Sequence, residues 1–195
     1  MRRSIRNALD LIDDLIEVAR AEAGQLEIAA GPLRVEPLIA ELVEEYRAPA
    51  EKKGLRLEQR LSSELPFVES DRRRVRQIMG NLLSNAIKYS LEGGRIEVEA
   101  VCCMRPGTAP GDWVCITVRD EGRGIAVEQQ ALLFREFSRI EPGATDGAGL
   151  GLAISHRIAT ALGGDLTIRS ESGAGSAFTI WLPTCLQREN RIAEE

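Results

Sequence analysis

Three short segments of the chain carry residue types suited to binding a phosphorylated ligand. The first lies on a strongly periodic predicted helix, where Asn81 and Asn85 are four residues apart and Lys88 follows three residues later. This spacing places the three side chains on one helix face, opposite the apolar stripe. Carboxamide oxygens can ligate a hard cation, and an ammonium can neutralise phosphate oxygens. Alone, the pattern is equally compatible with a helix face that is merely polar.

Two glycine-containing segments could complete such a site. Residues 120–125 (DEGRGI) directly follow a predicted strand, so the Asp120 carboxylate could accept a hydrogen bond from an exocyclic amine while the two glycines let the backbone approach a ligand. Residues 147–152 (GAGLGL) open a predicted helix, whose free N–H groups suit phosphate. Their spacing fits neither a P-loop nor a dinucleotide-binding motif. By itself, the first of these two segments could be a simple turn.

Taken together and in this order, the three segments resemble the nucleotide-binding boxes of the GHKL superfamily, and most closely the ATP-binding catalytic domain of bacterial two-component sensor histidine kinases. The resemblance covers roughly residues 33–185. It implies a Bergerat-type fold. The matching segments are residues 81–90 for the asparagine box, 120–125 for the first glycine box, 133–139 for the phenylalanine box, 147–152 for the second glycine box and 173–183 for the last two strands.

The resemblance implies a role for each matching residue. Asn85 would ligate the Mg²⁺ that bridges the ATP phosphates, with Asn81 assisting, and Asp120 would accept the adenine amino group. Arg139 would lie near the γ-phosphate at the start of a mobile lid formed by residues 138–148. The implied catalytic residues are Asn81, Lys88 and Arg139, and the implied cofactor-binding residues are Asn81, Asn85, Lys88, Tyr89, Asp120, Gly122, Gly124, Ile125, Phe137, Gly147, Gly149, Leu150, Gly151, Leu152 and Ser176.

The residue type at position 81 favours phosphoryl transfer over hydrolysis. In the hydrolysing branches of the superfamily, a glutamate four residues before the magnesium asparagine activates water. Asn81 occupies that position here, and an amide cannot take a proton at neutral pH. We therefore expect the γ-phosphoryl group to pass to a separate acceptor, through positioning and charge neutralisation.

An N-terminal segment, residues 4–26, has an apolar residue every three or four positions over three heptads. This predicts a helix that packs in a bundle with another helix or chain, or alternatively on its own domain. The segment resembles the second helix of the dimerisation and phosphotransfer hairpin of sensor kinases, which implies a possible homodimer. In the family, the first helix of that hairpin bears the acceptor histidine. We expect that helix outside this chain, upstream or in trans, with a response regulator as a further partner.

The single histidine, His156, is not expected to be the acceptor. It lies on the helix behind the second glycine box, whereas in the family the acceptor is followed by an acidic residue, then a basic one and a proline. His156 is followed by Arg-Ile-Ala-Thr, with no proline. We interpret it as a packing or surface residue. Its solitary presence also excludes a multi-histidine zinc site.

The pattern of elements predicts a two-layer α/β sandwich, with a mixed sheet and helices on one face, because several strand pairs are joined by short turns. We expect three regions: residues 1–30 as hairpin helix and linker, 31–185 as the catalytic domain and 186–195 as a polar tail. The predicted helices are 35–53 (disturbed at Pro49), one that Asp71 caps and that runs to about residue 89, 128–137 and 149–162. The predicted strands are 26–29, 55–61, 67–69, 95–104, 113–119, 165–170 and 177–182.

Composition sets further limits. The 195 residues carry a net charge of −5 and only eight aromatic residues, which disfavours nucleic-acid binding. Cys102 and Cys103 lie in an apolar run and are interpreted as small core residues. With no 18-residue apolar stretch and no secretory leader, we expect a cytoplasmic location for this chain, whether or not the full-length protein is anchored to a membrane.

Two other functions stay compatible with the sequence. One is a non-catalytic nucleotide-binding signalling module, which the intact boxes argue against. The other is a serine kinase of the anti-sigma type, which shares the boxes but is disfavoured by the N-terminal heptads.

Overall fold

The computed structural model describes residue 16 and residues 25–104, 113–135 and 149–184. In these parts of the chain, short turns connect helices and strands that alternate irregularly. The elements are, in order, β1 (Gly31–Leu33), α1 (Val35–Lys52), β2 (Arg56–Leu61), β3 (Val68–Ser70), α2 (Arg72–Tyr89), β4 (Arg95–Cys103), β5 (Trp113–Asp120), α3 (Val127–Gln130), α4 (Gly151–Ala161), β6 (Asp165–Glu171) and β7 (Gly175–Pro183).

Five strands form one mixed sheet in the order β2-β4-β5-β7-β6. β2 runs parallel to β4, and the other neighbouring pairs are antiparallel. Alternate residues of these strands are buried with α1, α2 and α4 in a single apolar core. The short strands β1 and β3 form a separate antiparallel pair. The structure therefore confirms the predicted two-layer α/β sandwich, with a mixed sheet and the helices on one face.

Helix α2 carries the predicted asparagine pair, and its sequence explains where it begins and which face it buries. Asp71 precedes the helix, and its Oδ1 accepts hydrogen bonds from the backbone N–H groups of Arg73 (2.8 Å) and Arg74 (3.2 Å), as an N-cap does. The apolar residues buried on this helix recur every three or four positions: Val75, Ile78, Met79, Leu82, Leu83 and Ala86. Burial of this stripe sets the rotation of α2 and so directs its polar face away from the core.

Two predicted elements differ from the structure. Residues 26–29 form no strand; the strand lies at Gly31–Leu33 and pairs with β3. The predicted helix 35–53 is confirmed as Val35–Lys52, and it continues through Pro49 because a proline in the last turn removes only one hydrogen bond near the helix end. In the described part of the predicted helix 128–137, only the helix Val127–Gln130 is present, and it is followed by turns up to residue 134.

The interpretation of Cys102 and Cys103 as small core residues is also wrong. Cys102 is exposed, and Cys103 forms a disulfide with Cys115. In the β4–β5 pairing, Cys103 lies opposite Trp113 and is therefore a diagonal neighbour of Cys115 on one sheet face. Their Cα atoms are 6.0 Å apart, within the usual range for a disulfide.

The predicted bundle helix at residues 4–26 lies outside the described residues except at Ile16 and at its C-terminal end. Ile16 is helical and its side chain is exposed. After it, Leu26 and Ile28 pack against the single apolar core. The predicted polar tail, 186–195, also lies outside the described residues. Among the helices that the structure describes, none has the length and apolar character needed to cross a bilayer.

Candidate active site

The two predicted asparagines lie on α2 beside the first turns of α4. Asn81 Nδ2 donates a hydrogen bond to Ser155 Oγ of α4 over 2.9 Å, and Asn85 Nδ2 donates to Asn81 Oδ1 over 3.4 Å. Gly151 begins α4 directly against this pair, because a Cβ at this position would lie 2.5 Å from Asn81 Oδ1. The second glycine box is therefore packed on the asparagine box with no space for a side chain between them.

These contacts determine which amide oxygen can bind a cation. Asn81 Oδ1 is directed at Asn85, whereas no described residue donates a hydrogen bond to Asn85 Oδ1. An amide oxygen of this kind is a suitable ligand for a hard divalent cation. In the described residues, no group of three or more His, Cys, Asp or Glu side chains could hold a metal ion.

The N-terminus of α4 provides backbone donors next to the asparagines. The helix has no side-chain cap and no acidic residue in its first turn. Its first N–H groups therefore suit an anionic ligand. Gly149 has a φ of +74°, a left-handed conformation that turns the chain into the helix. The side chain of Leu150 is 2% exposed and that of Leu152 packs on the core, so these two residues can offer a ligand mainly their backbone.

At the C-terminal end of α2, one helical turn beyond Asn85, a cationic cluster surrounds Tyr89. Tyr89 is 38% exposed. Lys88 Nζ lies 5.0 Å and Arg123 Cζ lies 5.1 Å from the ring centroid, which is cation–π distance. The predicted phosphate-binding lysine thus shares the tyrosine ring with an arginine from the first glycine box, and positive charge gathers at this end of the helix.

Asp120, the last residue of β5, is a buried carboxyl group with a hydrogen-bonded oxygen. It is 6% exposed, and its Oδ1 accepts a hydrogen bond from the N–H of Gly122 over 2.9 Å. Burial raises the pKa of the Asp120 carboxyl, and the hydrogen bonds from the backbone N–H groups of Gly122 and Ser176 partly offset that rise. A buried carboxylate in this setting gains strongly from any further hydrogen-bond donor that a ligand brings.

The turn after β5 is held in place by the β6–β7 hairpin. Gly124 has a φ of +67°, and a Cβ there would lie 1.8 Å from the Glu171 carbonyl oxygen, so only glycine fits. The N–H of Ile125 donates to Ser170 Oγ over 2.8 Å. Ser170 Oγ in turn contacts Ser176 Oγ at 3.0 Å. Ser176 therefore supports the Asp120 carboxyl and its turn through both backbone and side chain.

An antiparallel bridge between Ser90 and Gly122 joins the end of α2 to this turn. It places the Tyr89 cluster beside Asp120, since a Cβ at Gly122 would lie 2.6 Å from both Asp120 Oδ1 and the Tyr89 carbonyl oxygen. The hydroxyl of Ser90 is buried and has no hydrogen-bond partner within the described residues. Such a group is normally satisfied by a ligand or an ordered water molecule.

The histidine has a packing role. The imidazole ring of His156 stacks on Phe134, with ring centroids 4.8 Å apart. Its Nε2 lies 3.6 Å from Asp165 Oδ1. His156 thus connects α4 to the segment that precedes the predicted lid, as expected for a packing or surface residue.

Every predicted site residue that the structure describes lies on one of four neighbouring segments: the C-terminal half of α2, the turn after β5, the start of α4 and the start of β7. Phe137, Arg139 and Gly147 lie outside the described residues. Sequence reasoning missed Ser155, Arg123 and Ser90 as supporting or lining residues. Ser155 could have been found, because it lies one helical turn after Gly151 and so on the same face of α4.

A family model covers this site in full. The model for the histidine kinase-, DNA gyrase B-, and HSP90-like ATPase family matches residues 70–185. That range contains the asparagine box, both glycine boxes and the β6–β7 hairpin, so the resemblance noted in the sequence is confirmed.

Curated relatives and solved structures agree with this family match. The chain is 37% identical over 174 residues to the adaptive-response sensory kinase SasA of Thermosynechococcus vestitus, covering 89% of this chain and 44% of that protein. It is 32% identical over 173 residues to the alginate biosynthesis sensor protein KinB of Pseudomonas aeruginosa, covering 89% of this chain and 28% of that protein. The chain thus spans less than half the length of either relative.

Full-length ShkA, crystallised in complex with AMPPNP, has a TM-score of 0.81 and 33% identity, covering 94% of this chain and 38% of that one. The Acinetobacter baumannii histidine kinase AdeS has a TM-score of 0.73 and 26% identity, covering 94% of this chain and 83% of that one. The chain therefore belongs to the histidine kinase-, DNA gyrase B- and HSP90-like ATPase family and carries the ATP-binding catalytic domain of a sensor histidine kinase.

Proposed function

We propose that this domain donates the γ-phosphoryl group of ATP to a histidine outside this chain, in two-component signal transduction. The observation that carries the proposal is the contact of Asn81 with Ser155 and Gly151. It brings the amide pair of α2 to the uncapped N-terminus of α4, and the Ser90–Gly122 bridge sets buried Asp120 beside them. Amides, free N–H groups and a buried carboxylate are the groups needed for magnesium, phosphate and adenine respectively.

Asp120 is assigned to the base. A carboxylate oxygen accepts a hydrogen bond from the exocyclic amine of adenine, and guanine presents no such amine at the corresponding position. Burial makes the bond strong and leaves an unpaired carboxylate costly when the donor is absent. This asymmetry favours adenine nucleotides. Tyr89 is assigned to packing against the base.

Asn85 is assigned to the metal ion and Lys88 to phosphate. Bound Mg²⁺ would supply charge neutralisation of the ATP phosphate oxygens. Asn85 offers its free Oδ1, Lys88 offers a flexible ammonium at the exposed end of α2, and the glycines at 149 and 151 leave the α4 N–H groups open to phosphate. Arg139 and the lid, residues 138–148, are assigned to covering the γ-phosphate.

Asn81 is assigned to positioning instead of proton abstraction. Its nitrogen is bound to Ser155 and its oxygen is directed at Asn85, so its amide is held in one orientation. An amide takes no proton at neutral pH, and this favours transfer to an incoming acceptor over attack by water. We therefore infer slow hydrolysis of bound ATP.

The partners follow from this assignment. They are ATP with Mg²⁺, the helix that bears the acceptor histidine, a response regulator and, through residues 4–26, a second copy of the chain. The division of the chain into 1–30, 31–185 and 186–195 belongs to the same proposal. We infer that the domain works in the cytoplasm, where ATP is available, and that the Cys103–Cys115 bond is reduced in that compartment.

Phosphoryl transfer can be tested directly. The chain is incubated with Mg²⁺, radiolabelled ATP and a separately prepared helical hairpin that carries the acceptor histidine of one of the similar sensor kinases. We expect acid-labile, alkali-stable label on that hairpin and none on a matched hairpin in which the histidine is replaced by glutamine. The chain alone should remain unlabelled.

Two results would contradict this proposal in different ways. Magnesium-dependent ATP binding without label on any hairpin would favour the non-catalytic signalling module. Acid-stable label on a serine of a supplied protein that anti-sigma-type kinases phosphorylate would favour the serine kinase. Absence of ATP binding would refute the assigned site as a whole.

A further inference from the structure

Lys53, a residue outside all the nucleotide-binding boxes, holds the end of the helix that carries the asparagines. Its Nζ donates hydrogen bonds to the backbone carbonyl oxygens of Ile87 (2.7 Å), Lys88 (2.7 Å) and Ser90 (2.9 Å). An ammonium has three N–H donors, so all of them are used. The side chain is half-buried and reaches α2 from the end of α1.

The backbone of Lys53 is itself fixed by the turn that ends α1. The N–H of Gly54 donates to the Glu51 carbonyl oxygen over 2.9 Å, and the N–H of Leu55 donates to that of Ala50 over 3.0 Å. This pair of bonds is a Schellman motif, in which Gly54 adopts the required left-handed conformation with a φ of +71°. Leu55 is 3% exposed and anchors the turn in the core. Lys53 therefore projects from a rigid base.

The carbonyl groups that Lys53 binds are those that a helix cannot satisfy itself. The last N–H in the ladder of α2 is that of Ser90, which donates to the Ala86 carbonyl oxygen. The later carbonyls have no partner within the helix, and the helix dipole concentrates negative charge there. A cation at this point both satisfies the carbonyls and neutralises the charge.

We propose that Lys53 is a positioning residue for nucleotide binding, because the turn it holds presents Lys88, Tyr89 and Ser90 to the site. The same turn makes the Ser90–Gly122 bridge, so its placement also bears on the wall that contains Asp120. This role rests on the proposed function, in which Lys88 contacts phosphate and Tyr89 packs on the base. Lys53 itself acts on the backbone and makes no contact with ATP.

The test compares ATP dissociation constants, measured by calorimetric titration with Mg²⁺, for the parent 195-residue chain and four variants. Lys53→Met keeps the aliphatic stem and removes the donors, and we expect about tenfold weaker binding. Lys53→Arg keeps the charge, but its N–H donors lie in one plane instead of in a tetrahedral arrangement. We therefore expect an ATP dissociation constant between those of the parent and Lys53→Met. Lys52→Met is the matched control, because Lys52 is the exposed neighbour in the same helix turn, and we expect a change below about twofold.

Val43→Ala separates positioning from general stability. Val43 is 3% exposed on the same helix, α1, and makes none of the hydrogen bonds to the carbonyl groups at the end of α2, so its truncation should lower the melting temperature without removing them. We expect Val43→Ala to bind ATP as the parent does. Amide exchange gives a second readout: the Ser90 N–H should exchange faster in Lys53→Met and should be unchanged in Val43→Ala.

The outcomes are distinguishable. Equal ATP affinity in Lys53→Met and Lys52→Met would overturn the role of Lys53 while leaving the proposed function intact. An equal loss of affinity in Lys53→Met and Val43→Ala, or a Lys53→Met chain that does not fold at all, would reduce Lys53 to a stability residue and also overturn the role. A parent chain that binds no ATP would overturn the proposed function, and this inference with it.

Discussion

Gly151 packs directly on the side chain of Asn81, and a Cβ at position 151 would lie 2.5 Å from Asn81 Oδ1. Two nucleotide-binding boxes that are 70 residues apart along the chain are therefore parts of one contact surface. The glycine is required here by its neighbour as well as by any phosphate group.

Gly151→Ala tests this contact. The added methyl group must displace either the Asn81 amide or the first turn of α4, so we expect ATP affinity to fall about tenfold. Gly31→Ala is the control, because a Cβ at Gly31 meets no atom within 4 Å. The measurement is a calorimetric ATP titration of both variants. Parental affinity in Gly151→Ala would show that the contact does not shape the site.

Ser155→Ala tests the orientation of Asn81. The substitution removes the oxygen that accepts the Asn81 Nδ2 hydrogen bond, and we expect a loss of about 1 kcal/mol in stability. Because the amide is then free to rotate, the rate of phosphoryl transfer to a supplied hairpin should fall more than the ATP affinity does. Thr160→Ala, which removes an exposed hydroxyl from the same helix, should change neither. A transfer rate equal to that of Thr160→Ala would argue against a positioned Asn81.

Asn85→Ala tests the metal site. The variant lacks the one amide oxygen of the pair that is open to a cation, so the difference between ATP affinities measured with Mg²⁺ and with EDTA should disappear. Ser84→Ala, an exposed neighbour on the same helix, serves as the control and should retain the difference. If magnesium still strengthens ATP binding to Asn85→Ala, the metal ligand lies elsewhere.

Asp120→Asn tests adenine recognition, and its pH dependence follows from the raised pKa. We expect about tenfold weaker ATP binding, whereas Glu121→Gln, an exposed neighbouring carboxyl, should bind normally. Burial raises the pKa of Asp120 above its unfolded value, so the parent loses stability as the pH rises through the folded pKa. The asparagine side chain of the variant does not ionise. The free energy of unfolding of Asp120→Asn minus that of the parent should therefore increase from about pH 4 to about pH 7, as measured by urea unfolding.

A relative stability of Asp120→Asn that is flat with pH would mean that the carboxyl is not destabilised in the folded apo domain. A normal ATP affinity in the same variant would separately remove Asp120 from the adenine contact. The two measurements thus examine the environment of the carboxyl and its role independently.

The boxes could be predicted from sequence because their chemistry demands particular residue types at short spacing. The same local reasoning predicts the Asp71 N-cap of α2 and the apolar face that this helix buries, and the structure agrees with both. Contacts between distant residues could not be predicted in this way. Asn81 and Ser155 are 74 residues apart, and Lys53 lies more than 30 residues before the carbonyls that it binds.

The cysteine pair illustrates the same limit in a hairpin. Cys103 and Cys115 are diagonal neighbours only because β4 and β5 pair with Cys102 opposite Val114. A shift of the register by one residue would turn one cysteine to the other sheet face. Composition and spacing contain no information on that register, so the two residues looked like independent core positions.

Asp71 connects the segment before β1 to the start of α2, and two substitutions can separate its two roles. Its Oδ1 caps the helix, while its Oδ2 accepts a hydrogen bond from the N–H of Ala29 over 2.9 Å. Asp71→Ser should preserve the cap and lose the Ala29 bond, whereas Asp71→Ala should lose both. We expect stability losses of about 1 kcal/mol and about 2 kcal/mol respectively, measured by urea unfolding.

The pH dependence of these losses identifies the carboxylate as the cause. Burial raises the pKa of Asp71, but the backbone N–H groups of Ala29, Arg74 and Arg73 outweigh it and hold the pKa below its ordinary value. A group with a lowered folded pKa contributes stability above its unfolded pKa and loses it as the pH falls through the folded pKa. The gap between the parent and Asp71→Ser should therefore be largest near neutral pH and shrink in acid. The amide of Ala29 should exchange faster in both variants, and an unchanged exchange rate would show that Asp71 does not hold this segment against α2.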